Sequence, residues 1–311
     1  MRSSIKHLTT LQKIGGTETA RRDSKVVLGL WNHGGVGKRV LGEFDFGLGA
    51  GMDMHQEIIR WFDYWLKGMD NGVDAIPAVR YYVIGSGKWK ESASWPPSGY
   101  EPFSYFLDAG KDGSADPPSL ALTPEPASQE SQAGYMYDPH DPVPTLWGRD
   151  FYSLPGNRRR LYHRPDILRY RTDALTRCLE VAGEAKVNLY VASSTRDTDF
   201  FARLVDEDPD GPALEISYGM VRARHRNGLD REDFLVEGQV TEIEIDLGPT
   251  ACCFLPGHRL MLEITSSDFP SHDRNHYTGE NDLFDSRLEI TQVTLHHAPA
   301  YPSRLVLPLA N

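Results

Sequence analysis

The chain has 311 residues, with 33 Lys+Arg against 44 Asp+Glu for a formal net charge of −11, and 40% of its residues are hydrophobic. This composition excludes a wholly disordered chain, a collagen-like rod and a coiled coil, and the acidic balance argues against a nucleic-acid partner. The length allows about two domains, no stretch approaches the roughly 18–20 apolar residues of a membrane helix, and residues 1–16 lack the apolar core of a secretory signal.

The first forty residues carry eight basic and two acidic side chains, so the other 271 hold 25 basic against 42 acidic. A solvated basic helix accounts for this; a segment facing a partner surface is the sharper alternative. Residues 25–30 (KVVLGL) form the short apolar run of a buried strand, which ends in a polar, glycine-rich loop, WNHGGVGKR. Over residues 53–67, Met54, Ile58, Trp61, Phe62, Trp65 and Leu66 recur at helical spacing, and Gly68 follows as a stop. Two Trp and a Phe on one stripe require a substantial apolar neighbour.

After Asn71-Gly72 the pattern turns to strands. Residues 79–84 (VRYYVI) are rich in β formers, and apolar residues alternate with polar ones over 187–191, 242–247, 260–264 and 305–309. Many short two-faced strands predict an antiparallel β-sandwich. Residues 108–134, built from Ala, Ser, Pro, Gly and acids, read as one long surface loop, and residues 138–160 as a proline-punctuated extended crossing. Cys178, Cys252 and Cys253 make no disulfide framework: the adjacent pair is expected to be reduced with one thiol facing a core, and a cytoplasmic location is the default.

The most informative motif is Leu28-Gly29-Leu30-Trp31-Asn32-His33-Gly34-Gly35. A histidine just beyond a strand's C-terminal end, on a glycine-rich loop followed by a helix, is where α/β-hydrolases place the general base. Other signals are thin. Asp206 to Gly211 imitates the start of a calcium loop, but Pro209 intrudes and Ser217 stands at its twelfth position, so a polar turn is expected. His272 and His276 lie three residues apart without suitably spaced cysteines, and Arg222, Arg224 and Arg226 read as a solvated or acid-paired strand face. No cofactor or metal site is expected.

KVVLGLWNHGG, FDFG (44–47) and RWFDYWLKGMDNG (60–72) together resemble the CocE/NonD serine hydrolases, the group of cocaine esterase, α-amino-acid ester hydrolases and X-Pro dipeptidyl-peptidases. VRYYVIGSGKWKESASWPP, RPDILRYRTDAL, RDTDFFARLVDEDPDG and PGHRLMLEITSSDFP resemble the group's C-terminal β-domain in the same order. The resemblance implies residues 1–72 as the C-terminal strand-loop-helix remnant of an α/β-hydrolase domain. It implies residues 73–311 as a jelly-roll, galactose-binding-like β-sandwich of the X-Pro dipeptidyl-peptidase C-terminal type. It also implies Ser-His-Asp chemistry on ester or amide bonds, with His33 as the base.

The departures are as informative. In these enzymes the serine elbow and the acid precede the histidine, but only 32 residues precede His33 and the sequence has no Gly-x-Ser-x-Gly. Ser86, in Gly85-Ser86-Gly87, is the nearest look-alike; Leu30 replaces a usual proline, and Trp147-Gly148 stands where a Gly-Gly pair is common. The expectation is therefore the C-terminal part of such a hydrolase, inactive alone because the nucleophile and acid are missing, with Met1 an internal position of the complete enzyme. Its partners would be a small ester or amide substrate, once a catalytic half is supplied, and an upstream hydrolase chain or a second copy of itself. Neither nucleic acid nor membrane is expected. The alternative is a non-catalytic jelly-roll binding or assembly module.

Overall fold

The computed structural model describes residues 1–110, 120–146, 156–297 and 299–311. Its architecture is mainly β. An eleven-stranded hydrogen-bonded network runs, in spatial order, through Ala213–Arg222, Asp199–Glu207, Arg259–Thr265, Leu168–Arg171, Leu120–Thr123, Tyr100–Asp108, Arg304–Ala310, Leu179–Ser193, Thr291–His297 and Ser131–Tyr137, with Thr241–Phe254 also paired to Leu179–Ser193. The two halves of this path face each other. Leu204, Leu262 and Tyr170 from one half share a single buried cluster with Val187, Ile243, Ile245 and Leu305 from the other, which makes the network a sandwich.

Alternation sets which face is inside. Ile243, Ile245 and Leu247 are buried while Glu242, Glu244 and Asp246 are exposed, the expected pattern for one wet face. Asp199–Glu207 departs from it, since every residue of that strand is buried. The reason is a second layer: the turn Arg158–Leu161 and Tyr162 cover its outer face, and Arg203 there pairs with Glu215 and Asp268, each at 3.0 Å. Glu263, opposite Arg203 in register, takes Arg158 at 2.6 Å and Arg169 at 2.9 Å. Burial alone would push the Glu263 carboxyl up, but the guanidiniums of Arg158, Arg169 and Arg203 outweigh it and hold the group below its usual range.

Two expectations need correction. The stretch 108–134 is not one loop: Leu120–Thr123 is a strand buried on alternate residues, and Ser131–Tyr137 begins inside it. Four residues, with Leu120 and Leu122 facing in, suffice for a strand when parallel and antiparallel neighbours are already in place. Of the predicted 138–160 crossing, Pro144 forms a bridge with Phe269, and residues 147–155, with Trp147-Gly148, lie outside the described residues. The cysteines are not all reduced. Cys178, one residue before the strand Leu179–Ser193, is disulfide-bonded to Cys253, whose strand neighbour is Glu180, with Cα atoms 5.8 Å apart. Cys252 points the other way, buried and free, as period-two alternation requires. The pairing removes one of the two grounds for a cytoplasmic location. Among the described residues no helix is long and apolar enough to cross a membrane.

Ahead of the sandwich, Val26–Leu28 pairs in parallel with Val79–Val83, which in turn pairs with Lys88–Ser92. The basic N-terminus forms the helix Arg2–Ile14, which is not wholly solvated: Ile5 and Leu8 enter a small core with Leu28, Val79, Tyr81, Trp95 and Cys253. Arg2 reaches Asp246 on the sandwich at 3.1 Å. Met54–Lys67 is the expected helix, capped by Asp53 accepting from His55 and Gln56 and stopped by Gly68 in the left-handed conformation. It buries no residue.

Candidate functional site

His33 sits exposed in the turn that follows Val26–Leu28. Its root is fixed from both sides. Trp31 packs at a tilt of 49° against Trp89, ring centroids 5.7 Å apart, and the Trp89 indole nitrogen donates to the Gly49 carbonyl at 2.8 Å. Gly29 is required beneath Trp31, because a Cβ there would lie 2.5 Å from the indole ring. Beyond the histidine, the Gly35 amide donates to the Asn32 carbonyl and the Lys38 amide to the Gly35 carbonyl, closing two tight turns. The strand end, the indole pair and the turns fix the backbone on either side of His33, which is exposed. That is the placement a general base needs if its substrate and nucleophile arrive from outside.

Ser86 does not complete it. It lies in the hairpin turn between Val79–Val83 and Lys88–Ser92, and its hydroxyl donates to the Val83 carbonyl at 3.3 Å. A nucleophile elbow needs a strand-to-helix turn, and this is a strand-to-strand turn. A cavity of about 390 Å³ separates the root of the His33 loop from the sandwich, bounded by Leu28, Trp31, Met54, Leu214 and Ile216.

Elsewhere the sandwich holds two histidine clusters that spacing in the sequence did not reveal. His297 is fully buried, with one ring nitrogen 2.8 Å from the Tyr170 hydroxyl and the other 3.3 Å from Ser131. Burial pushes its pKa down to about 4, so the ring is neutral at pH 7 and both nitrogens are engaged. The Ser131–His297 contact is thus a hydrogen bond from a half-buried serine to a fully buried, neutral ring. His258 contacts Asp206 at 2.8 Å in the turn that imitated a calcium loop; burial raises that carboxyl against the pull of His258. Partners here come from strands more than fifty residues apart, which no local motif records.

The remaining candidates resolve plainly. Asp208 accepts from the Asp210 and Gly211 amides, which makes the 206–211 stretch a polar turn. His272 stands 3.7 Å from Asp268 and His276 leans on the Asp285 carbonyl, so the two do not converge. Among the described residues no group of three or more His, Cys, Asp or Glu is arranged to hold a metal ion. Arg222, Arg224 and Arg226 are acid-paired, but only Arg222 is on the strand; Arg224 lies in the following turn.

A mainly β sandwich joined to a strand–loop–helix piece that presents a histidine defines the accessory-domain class of α/β-hydrolases. Residues 71–306 match the X-Pro dipeptidyl-peptidase C-terminal non-catalytic domain, and the chain belongs to the CocE/NonD hydrolase family as a C-terminal portion. It is 34% identical over 298 residues to cocaine esterase of Rhodococcus sp. (strain MB1 Bresler), covering 92% of this chain and 51% of that one. Among solved structures, an aminopeptidase from a marine sediment Thaumarchaeota archaeon superposes with a TM-score of 0.79 at 27% identity, over 93% of this chain and 50% of that one. An α-amino acid ester hydrolase superposes with a TM-score of 0.77 at 26% identity, over 92% and 50%. The chain therefore spans about half the length of these relatives.

Proposed function

We propose that this chain is the part of an ester- or amide-cleaving serine hydrolase that carries the base histidine and the accessory sandwich, and that by itself it does not turn over substrate. His33 takes the base role. A serine hydroxyl attacking an acyl carbon passes its proton to the His33 imidazole, and the imidazolium then protonates the departing alcohol or amine. Water repeats the cycle on the acyl-enzyme. The nucleophile, the triad acid and the oxyanion donors are supplied by a polypeptide segment outside these 311 residues, in the same chain or in another. Substrates are small acyl esters or amides, X-Pro dipeptides included.

The observation that carries this reading is an exposed histidine in the glycine-rich turn after the strand Val26–Leu28, with the small hairpin Val40–Leu41/Phe44–Asp45 and then the helix Met54–Lys67 behind it, in a sequence without Gly-x-Ser-x-Gly. The exposed face of Met54–Lys67 supports a neighbour there: Phe62 is 50% and Leu66 76% exposed, on a stripe with Ile58 and Trp65. A base without a nucleophile retains only residual catalysis. Incubated with a fluorophosphonate probe and a p-nitrophenyl ester, the purified chain is expected to show no stoichiometric serine label and no turnover above buffer. Labelling of one serine, together with turnover that disappears in His33→Ala, would overturn it.

A further inference from the structure

Two adjacent residues near the end of the strand Thr241–Phe254 belong to different cores. Cys252 lies in the main cluster of the sandwich, whereas Cys253 enters the small core that joins Ile5, Leu8 and Leu28 to it. The disulfide is made by the second of these residues, so it sits at the joint between the strand–loop–helix piece and the sandwich. Fastenings at the joint besides the bridge include a backbone link. The Ile84 amide donates to the Ala251 carbonyl at 3.1 Å, and the Cys253 amide donates to the Ile84 carbonyl at 2.8 Å. Gly85 permits this approach: its φ is 84°, and a Cβ there would lie 2.1 Å from the Cys253 carbonyl oxygen. Side chains add Lys90 to Glu180, Trp95 to Glu184, and Arg2 to Asp246, the last pair more than half exposed on both sides.

The bridge closes the ends of two strands. Leu179 and Glu180 pair in register with Phe254 and Cys253, and Cys178 lies just outside that ladder. A closed bridge limits how far these strand ends part, and with them the Ile84 link that rests on Cys253. Its two sulfurs differ in access. Cys178 is exposed, while Cys253 is 2% exposed among apolar side chains. A thiolate arriving from solvent therefore reaches the sulfur of Cys178 and not that of Cys253. Cys252 is fully buried on the opposite face of its strand, where the main core shields it from the exchange.

We propose that the Cys178–Cys253 bridge is a thiol-exchange site, operated by small thiols or dithiols, that sets how firmly the strand–loop–helix piece is fastened to the sandwich. The reagent thiolate attacks Cys178 Sγ, the S–S bond breaks, and its electron pair leaves on Cys253 Sγ, which takes a proton. Cys178 is then a mixed disulfide with the reagent. A second thiolate attacks the reagent's sulfur in that mixed disulfide, releasing Cys178 as a thiolate and the reagent as its own disulfide. Two reagent thiols are oxidised as the protein disulfide is reduced to two thiols. The reverse reaction, with the reagent's disulfide as oxidant, closes the bridge. An apolar core accepts the Cys253 thiol, because a free cysteine packs as a small hydrophobic side chain. The exchange does not involve His33 and is independent of whether the chain takes part in hydrolysis.

The test is hydrogen exchange of the full chain, read by mass spectrometry, in three states: oxidised with glutathione disulfide, reduced with dithiothreitol under native conditions, and reoxidised. Thiols are counted in each state by alkylation after unfolding. The expected counts are one thiol per chain when oxidised, three when reduced and one again after reoxidation. Reduction should speed exchange of Arg2–Ile14 and Val79–Val83 roughly tenfold or more, while Asp199–Glu207 exchanges as before. Cys178→Ser, at an exposed position, should exchange as the reduced chain does whether or not dithiothreitol is present. Three thiols after treatment with glutathione disulfide, or a bridge that survives native dithiothreitol, would overturn the assignment. So would reduction that leaves exchange unchanged or speeds both regions equally.

Discussion

The strand Asp199–Glu207 and the helix Met54–Lys67 are opposite cases of one rule. The strand contains Asp199, Arg203, Asp206 and Glu207, four charged side chains in nine residues, yet all of it is buried. The helix contains Ile58, Trp61, Phe62, Trp65 and Leu66 and buries none of them. Burial is decided by what covers an element more than by what it is made of. The strand's charges are compensated by Arg222, Glu215, Asp268, His258 and Arg171 from neighbouring elements, so they can leave water. The helix has the apolar stripe and good caps, and among the described residues nothing covers its outer face. The sandwich has a large buried cluster of its own; the strand-loop-helix piece is held by its caps and by a small core that joins Ile5, Leu8 and Leu28 to Ala182, Ala251 and Cys253 of the sandwich.

The largest expected effect lies in the strand's surroundings. Glu263→Gln leaves Arg158, Arg169 and Arg203 around a neutral amide, and the loss should be about 3–5 kcal/mol, read as a lowered midpoint in urea. A small loss would mean that the charge layer contributes little and that the comparison with the helix is wrong.

Acid should act through His297. Its folded pKa of about 4 lies below the ordinary value of 6.5, so the fold favours the neutral ring. Its contribution is complete above pH 6.5 and is lost as pH falls towards 4, up to about 3 kcal/mol. Glu263, held low by its guanidinium partners, and Asp268, held low by His272 and then by Arg203 and Arg158, lose their contribution further into acid, burial being outweighed in both. Urea midpoints between pH 7 and 4 should fall less steeply in His297→Gln than in the unaltered chain. Equal slopes would remove the histidine from the account.

Smaller effects are expected in the helix. Asp53→Ala removes the acceptor for two orphan amides and should cost about 1 kcal/mol of local stability, visible as reduced helicity while the sandwich melts unchanged. Phe62→Ser and Leu66→Ser should change the global midpoint by no more than about 0.5 kcal/mol, because neither side chain is buried. They should instead lower the binding of a hydrophobic dye. A loss of several kcal/mol from either would show that the face is covered in solution.

Much of this was legible in the amino-acid order. The alternation of Ile243, Ile245 and Leu247 with acids, the helical stripe over residues 53–67 and the Gly68 stop are local patterns, and each lies where the period predicts. The position of His33 beyond a strand was legible for the same reason. What failed was non-local. The strand Leu120–Thr123 has only two inward side chains and takes its stability from neighbours, so composition alone made it a loop. The Cys178–Cys253 bridge depends on the register between two strands separated by 75 residues. The His258–Asp206 and Arg222–Asp282 pairs likewise required the sheet to be assembled before they could be seen.

Hydrogen exchange of the native chain followed by mass spectrometry compares the two regions most directly. The account predicts that amides of Leu179–Ser193 and Thr241–Phe254 exchange only with global unfolding, while those of Met54–Lys67 exchange through local opening, orders of magnitude faster. Protection of the helix equal to that of the strands, in a chain shown to be monomeric, would contradict it.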